Sequence, residues 1–140
     1  MGLVSTSEAL RKAGNRFFEK HGLTQTQFNV LMVLKHDVPS GCSQNELCGR
    51  LVVNAADVSG LVRRMQAHGL IERKDHPEDP RAWLVTLAEK GRRLLDQVEP
   101  LYYRQVKHAT DLLTLRQAEM LAALLERVQQ GILRIHHDAA

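Results

Sequence analysis

The chain has 140 residues, 44% hydrophobic, 25% charged and only 4% aromatic, and its 19 Lys and Arg outnumber 16 Asp and Glu for a net charge of +3. That mixture excludes a disordered polymer and fits one globular domain, or one domain with an accessory dimerisation element. The longest apolar run falls short of the roughly 20 residues that cross a bilayer, and residues 1–14 lack the basic-then-apolar order of a secretory leader. No membrane partner and a cytoplasmic location are therefore expected.

Helix starts are legible in chain order. A Ser, Thr or Asn followed three residues later by an acid or Gln forms a capping box, which satisfies orphan amides of the first turn. Such pairs stand at Ser5/Glu8, Thr24/Gln27, Ser43/Glu46, Asn54/Asp57 and Thr114/Gln117, each ahead of apolar residues at helical spacing. The first helix is expected over Ser5 to His21, closed by Gly22. A second starts at Thr24, with Phe28, Leu31, Met32 and Leu34 facing the core. Asp37 to Gly41, carrying Pro39, reads as a loop. A short third helix carries Leu47 and Leu51, and a fourth carries Val58, Leu61, Val62 and Met65 on one face and ends at Gly69.

The period then changes. Leu70 to Lys74 and Ala82 to Leu87 read as extended, separated by the polar stretch Asp75 to Arg81, which makes a hairpin with a long loop. From Ala88 to about His108 the pattern is helical again, with a kink expected at Pro100. The last helix, from Thr114, sets Ala118, Leu121, Leu125, Val128, Ile132 and Ile135 at alternating steps of three and four. That is an a/d seam, packed either across a dimer or within one subunit.

Residues 43–87 carry the chemistry. A short helix, a tight turn, a second helix and a two-stranded wing are what a helix-turn-helix needs to brace one helix and insert another into a major groove. The outer face of the fourth helix shows Asn54, Ala55, Ala56, Ser59, Arg63 and Gln66. Small residues at its start let the backbone come close to bases and phosphates, and its first amides attract phosphate oxygens. Arg63 and Arg64 reach toward guanine edges or phosphates, and Asn54 and Ser59 toward either. Taken alone, the same face is equally a solvated amphipathic surface. The wing adds Arg73, Lys74, His76 and Arg81 around a protruding loop, where positive charge meets a backbone or a narrow minor groove. Asp79, two residues from Arg81, is expected to hold that guanidinium.

Several runs resemble the MarR family of transcriptional regulators. The wing runs Leu70-Ile71-Glu72-Arg73-Lys74 and Asp79-Pro80-Arg81-Ala82-Trp83-Leu84-Val85-Thr86-Leu87, with Lys90-Gly91, are its most specific part. Leu23 to Leu31, Ser43 to Leu47, Val58 to Met65 and Gly69-Leu70-Ile71 are similar to the family's second, third and recognition helices, so the resemblance spans nearly the whole chain. Ala88 stands where the family commonly opens a helix with Thr, and the loop from Asp37 to Cys42 is longer than usual.

The resemblance implies a mainly α fold with a small β-hairpin wing: a winged helix-turn-helix over residues 24–90 and a helical dimerisation region over 1–22 and 91–140. It implies a homodimer built from the first and last two helices, reading a palindromic operator in double-stranded DNA. By position Asn54 to Arg64, Asp57 included, belong to the recognition helix and Arg81 to the wing, with Ser43 and Gln44 completing the DNA face. The dimer residues are Leu121, Leu125, Val128, Ile132 and Ile135. Most members repress their genes and release DNA when a small, often phenolic or aromatic, ligand binds; others sense oxidants or metals.

Phe17, His21, Phe28 and Tyr102 are candidates to line an effector pocket, with core packing as the alternative for each aromatic. Cys42 and Cys48 form no disulfide framework and are either reduced thiols or a redox sensor. The seven histidines show no clear ligand spacing, so no metal site is assigned, and no cofactor. A winged helix that binds protein calls for an acidic or apolar face, against the basic one here. The chain has no Gly-rich phosphate loop, nucleophile elbow or zinc-hydrolase helix, and an enzyme is not expected.

Overall fold

The computed structural model describes residues 2–51 and 55–138, and the side chains of all of these except 55, 133 and 135–138. The Asn54/Asp57 capping box, Asn54 itself and the side chains of Ala55 and Ile135 lie outside the described residues. Compactness divides the chain at Pro100, into residues 1–100 and 101–140.

In the first unit, α1 (Gly2–Glu19) begins before the box expected to open it. Ser5 is an interior residue, and Glu8 pairs forward with the Arg11 guanidinium at 2.7 Å instead of backward onto an N-cap. The pattern of a capping box is only local, and an i, i+3 ion pair satisfies the same carboxylate inside a helix. At its other end the Gly22 amide bonds the Glu19 carbonyl and the Leu23 amide bonds Phe18, a Schellman closure with Gly22 at φ 68°.

α2 (Gln25–Met32) opens on the full Thr24/Gln27 box. It continues as a π-helical turn, Val33–Asp37, whose wide bond runs from the Val38 amide to the Val33 carbonyl at 3.0 Å. Phe28, Leu31 and Leu34 are buried, whereas Met32, the last residue of α2, is half-buried. α3 (Gln44–Arg50) opens on the Ser43/Glu46 box, and α4 (Ala55–Ala67) buries Val58, Leu61, Val62 and Met65. A second Schellman closure, at Gly69 with φ 72°, ends α4.

The wing strands are β1 (Ile71–Asp75) and β2 (Trp83–Leu87), antiparallel, with Ile71 opposite Leu87 and Asp75 opposite Trp83. Both begin one residue later than the hydropathy pattern predicts, because Leu70 is used to close α4 and Ala82 to close the tip: its amide bonds Asp79 and its carbonyl takes the His76 amide. Cys42 bridges Val85 at 2.8 and 3.1 Å, a third rung beside the hairpin and the product of the long loop ahead of α3.

α5 (Glu89–Thr110) follows directly. Its first turn crosses Leu70 so closely that a Cβ on Gly91 would lie 2.0 Å from the Leu70 carbonyl oxygen, so only glycine fits there. α5 continues through Pro100, which forgoes one backbone bond while the turns on both sides hold. In the second unit, α6 (Leu115–Asp138) opens on the Thr114/Gln117 box, with bonds of 2.8 and 3.3 Å. No helix among the described residues is long and apolar enough to cross a membrane.

Candidate nucleic-acid interface

The first unit carries most of the expected DNA-facing residues, on α3, α4 and the wing. Burial of Val58, Leu61, Val62 and Met65 orients α4, and the same 3.6-residue period turns Ala56, Asp57, Ser59, Arg63 and Arg64 outward, all exposed. The Gln44 side-chain amide donates to the Ser59 hydroxyl, joining the start of α3 to the outer face of α4. Ser43 caps α3, its hydroxyl accepting the Glu46 amide at 3.1 Å. The Ser43 backbone amide donates to the Glu46 carboxylate at 2.8 Å, and this bond, then one with the Ser43 side chain, keeps the Glu46 carboxyl below its usual range against the opposing effect of burial. At the far end of α4 the Lys90 ammonium donates to the His68 carbonyl at 2.7 Å, a cation at a helix C-terminus.

The wing tip is built differently from expectation. The Asp79 carboxylate accepts the backbone amide of Arg81 at 2.9 Å, not its guanidinium. A two-residue separation favours this Asx-type turn, since the short side chain reaches the nearby amide more easily than a flexible guanidinium reaches back. His76 is also a turn-former: its Nδ1 accepts the amides of Glu78 and Asp79, both at 3.2 Å. Arg73, Lys74 and Arg81 are exposed. The Arg73 guanidinium lies over the Trp83 ring, 3.9 Å from its centroid. The residue pattern alone missed Trp83, because that contact depends on the register of the hairpin.

A groove of about 500 Å³ runs beside this face, lined by Thr24 and Thr26 at the start of α2 and by Ala56, Asp57, Gly60, Leu61 and Arg64 of α4. It uses none of the four residues put forward for an effector. Of those, Phe28 is 1% exposed with its ring 4.8 Å from that of Phe18, and belongs to the core. Phe17 and His21 are half-buried, their rings 5.0 Å apart. Tyr102, half-buried in the second unit, meets Tyr103.

This unit matches known proteins. A model described as MarR family covers residues 21–82, from the end of α1 to the wing tip. A crystal structure of a probable transcriptional regulator from Pseudomonas aeruginosa is 30% identical, with a TM-score of 0.75 over 91% of this chain and 96% of that one. The chain belongs to the MarR family.

Its MarR-family relatives are transcriptional regulators. The HTH-type transcriptional regulator MhqR of Bacillus subtilis is 26% identical over 88% of this chain and 83% of its own length. Two further structures share the fold. One is the S. aureus MepR–DNA complex, at 19% identity and a TM-score of 0.83 over 93% of both chains. The other is the organohalide-sensing regulator RdhR-CbdbA1625 with 2,4-dichlorophenol bound, at 21% identity and 0.83 over 96% of this chain and 79% of that one.

Two further features of the first unit lie outside this interface. Cys42 is 2% exposed, and burial, then the Glu46 charge, push its thiol pKa up. Among the described residues no three His, Cys, Asp or Glu gather as metal ligands. Lys35 and His36, on the π-helical turn, meet Glu99 at 2.7 and 2.6 Å, and Lys35 also meets Asp96 at 2.8 Å. Hydrogen bonds to Asp96 and Glu99 raise the Lys35 pKa. Burial works to raise that of Glu99, but its bonds to Lys35 and His36 outweigh this and hold it below the usual carboxylate range. The cluster ties the turn after α2 to the first half of α5.

Proposed function

We infer that this chain is a homodimeric MarR-type repressor that binds a palindromic operator and leaves it when a small phenol or aromatic acid binds. The observation that carries DNA binding is the pairing, in one compact unit, of an outward Ser59, Arg63 and Arg64 row on α4 with the Arg73, Lys74 and Arg81 wing. A helix fits the major groove, and a basic hairpin beside it suits the neighbouring backbone or minor groove. Residues 24–90 are the reading head in this proposal, with Gln44 fixing Ser59, and residues 1–22 and 91–140 the dimerisation region.

Dimerisation is supported by α6, where Leu121, Leu125, Val128 and Ile132 are each 45–50% exposed in the single chain. A row of that length at a/d spacing is stable in water when a second copy covers it. The DNA complex of MepR and the dichlorophenol complex of RdhR-CbdbA1625, both of similar fold, support the partner and the class of effector.

The test is a selection of bound duplexes from genomic DNA of the source, repeated with a panel of phenols and aromatic acids. The expected product is a palindromic duplex whose affinity falls steeply with salt as counterions are released, and which one ligand class displaces. Arg63→Ala is expected to cost about 1–3 kcal/mol and relax specificity at one base pair, if Arg63 reads a base. Recovery of no duplex at low salt would end the reading.

A further inference from the structure

We propose that Trp83 is a positioning residue of the wing, whose indole face holds the Arg73 guanidinium in the plane in which it meets DNA. This rests on the DNA-binding reading and names a device that the reading leaves open. In the hairpin register, Arg73 is opposite Val85 and Asp75 is opposite Trp83. Directly opposed residues share a face, so Ile71, Arg73 and the exposed Asp75 lie on one side of the sheet with Trp83, Val85 and Leu87. It is the indole that the Arg73 guanidinium meets. Ile71 at its base and Val85, opposite Arg73, are buried, while Arg73 is exposed and Trp83, nearer the tip, is half-buried. The indole is thus the outermost plate of the core, and the guanidinium rests on it at the edge of water.

The geometry matters because of how each partner is used. With its guanidinium carbon 3.9 Å from the ring centroid, Arg73 meets the indole face, and among the described residues no carboxylate or carbonyl takes its N–H donors. The side chain is therefore held without spending the groups that bind phosphate or a base edge. An unsupported arginine must lose its rotamer freedom on binding, whereas this one has lost part of it beforehand. Trp presents the strongest π face for the purpose. Lys74 is next along the strand and points to the opposite face, and among the described residues Arg81 is engaged through its backbone amide, so neither is positioned in this way.

The chain has one tryptophan, which makes the stack directly observable. In the free protein, Arg73→Ala is expected to shift the Trp83 emission, and unchanged emission would overturn the stack. The second measurement uses the fluorescein-labelled duplex recovered by the selection above, with Trp83→Leu, Trp83→Phe, Arg73→Ala and the Arg73→Ala/Trp83→Leu pair. Arg73→Ala is expected to weaken binding by about tenfold or more, and Trp83→Leu by about 3- to 10-fold. The pair is expected to match Arg73→Ala alone, and Trp83→Phe to recover most of the loss at unchanged thermal stability. Wild-type affinity in Trp83→Leu, or losses that add in the pair, would overturn the proposal. Failure of the wild type to retain any duplex strikes the DNA-binding reading itself, and leaves the emission result to stand alone.

Discussion

α4 and α6 carry similar apolar rows and meet opposite fates. The row of α4, Val58, Leu61, Val62 and Met65, is 0–6% exposed, covered by the rest of its own unit. The row of α6, Leu121, Leu125, Val128 and Ile132, is left about half open. An amphipathic pattern therefore specifies that a face will be covered, but not by which chain. One helix completes a core, and the other leaves a demand that a second molecule can meet.

The sharpest way to break this contrast is to cut each row in turn. Met65→Ala is expected to destabilise by about 2–5 kcal/mol in urea unfolding, since its cavity lies in a closed core, and the loss should not depend on protein concentration. Leu125→Lys is expected to leave the helical signal intact and halve the mass seen by light scattering. An unchanged mass would refute α6 as the seam, and a concentration-independent collapse would place its row in a core like that of α4.

Smaller effects sharpen the account of the first unit. The lowered Glu99 pKa adds stability that is complete above the ordinary value of 4.5 and lost as pH falls from there through the folded value. Glu99→Gln is expected to flatten the acid side of the stability curve while leaving its neutral side less stable than wild type. Parallel curves for the two proteins would show that the Lys35–His36–Glu99 cluster adds no linked stability. Ser43→Ala removes the N-cap of α3 and is expected to cost about 1 kcal/mol, with little change in DNA affinity if Ser43 serves the helix and not the duplex.

The order of helices, the hairpin and the family likeness were all readable from residues, because caps, periods and turn formers act within a few positions of one another. Thr24/Gln27, Ser43/Glu46 and Thr114/Gln117 each open a helix as their spacing predicts. Ser5/Glu8 has the same spacing and does not, because Arg11 offers Glu8 a nearer partner. The Asp79 contact was misassigned for a related reason: spacing puts two groups in reach without saying which atom is taken.

What the linear pattern determined by itself is therefore the set of amphipathic elements and the basic character of one stretch, since these follow from local hydrogen bonding and periodicity. Only the folded chain decided the one-residue shift of the wing strands, the seating of Arg73 on Trp83, the rung between Cys42 and Val85, and the meeting of Lys35 with Glu99. Each of these joins residues whose separation in space is set by packing, and packing is a property of the whole unit that no short window of residues contains.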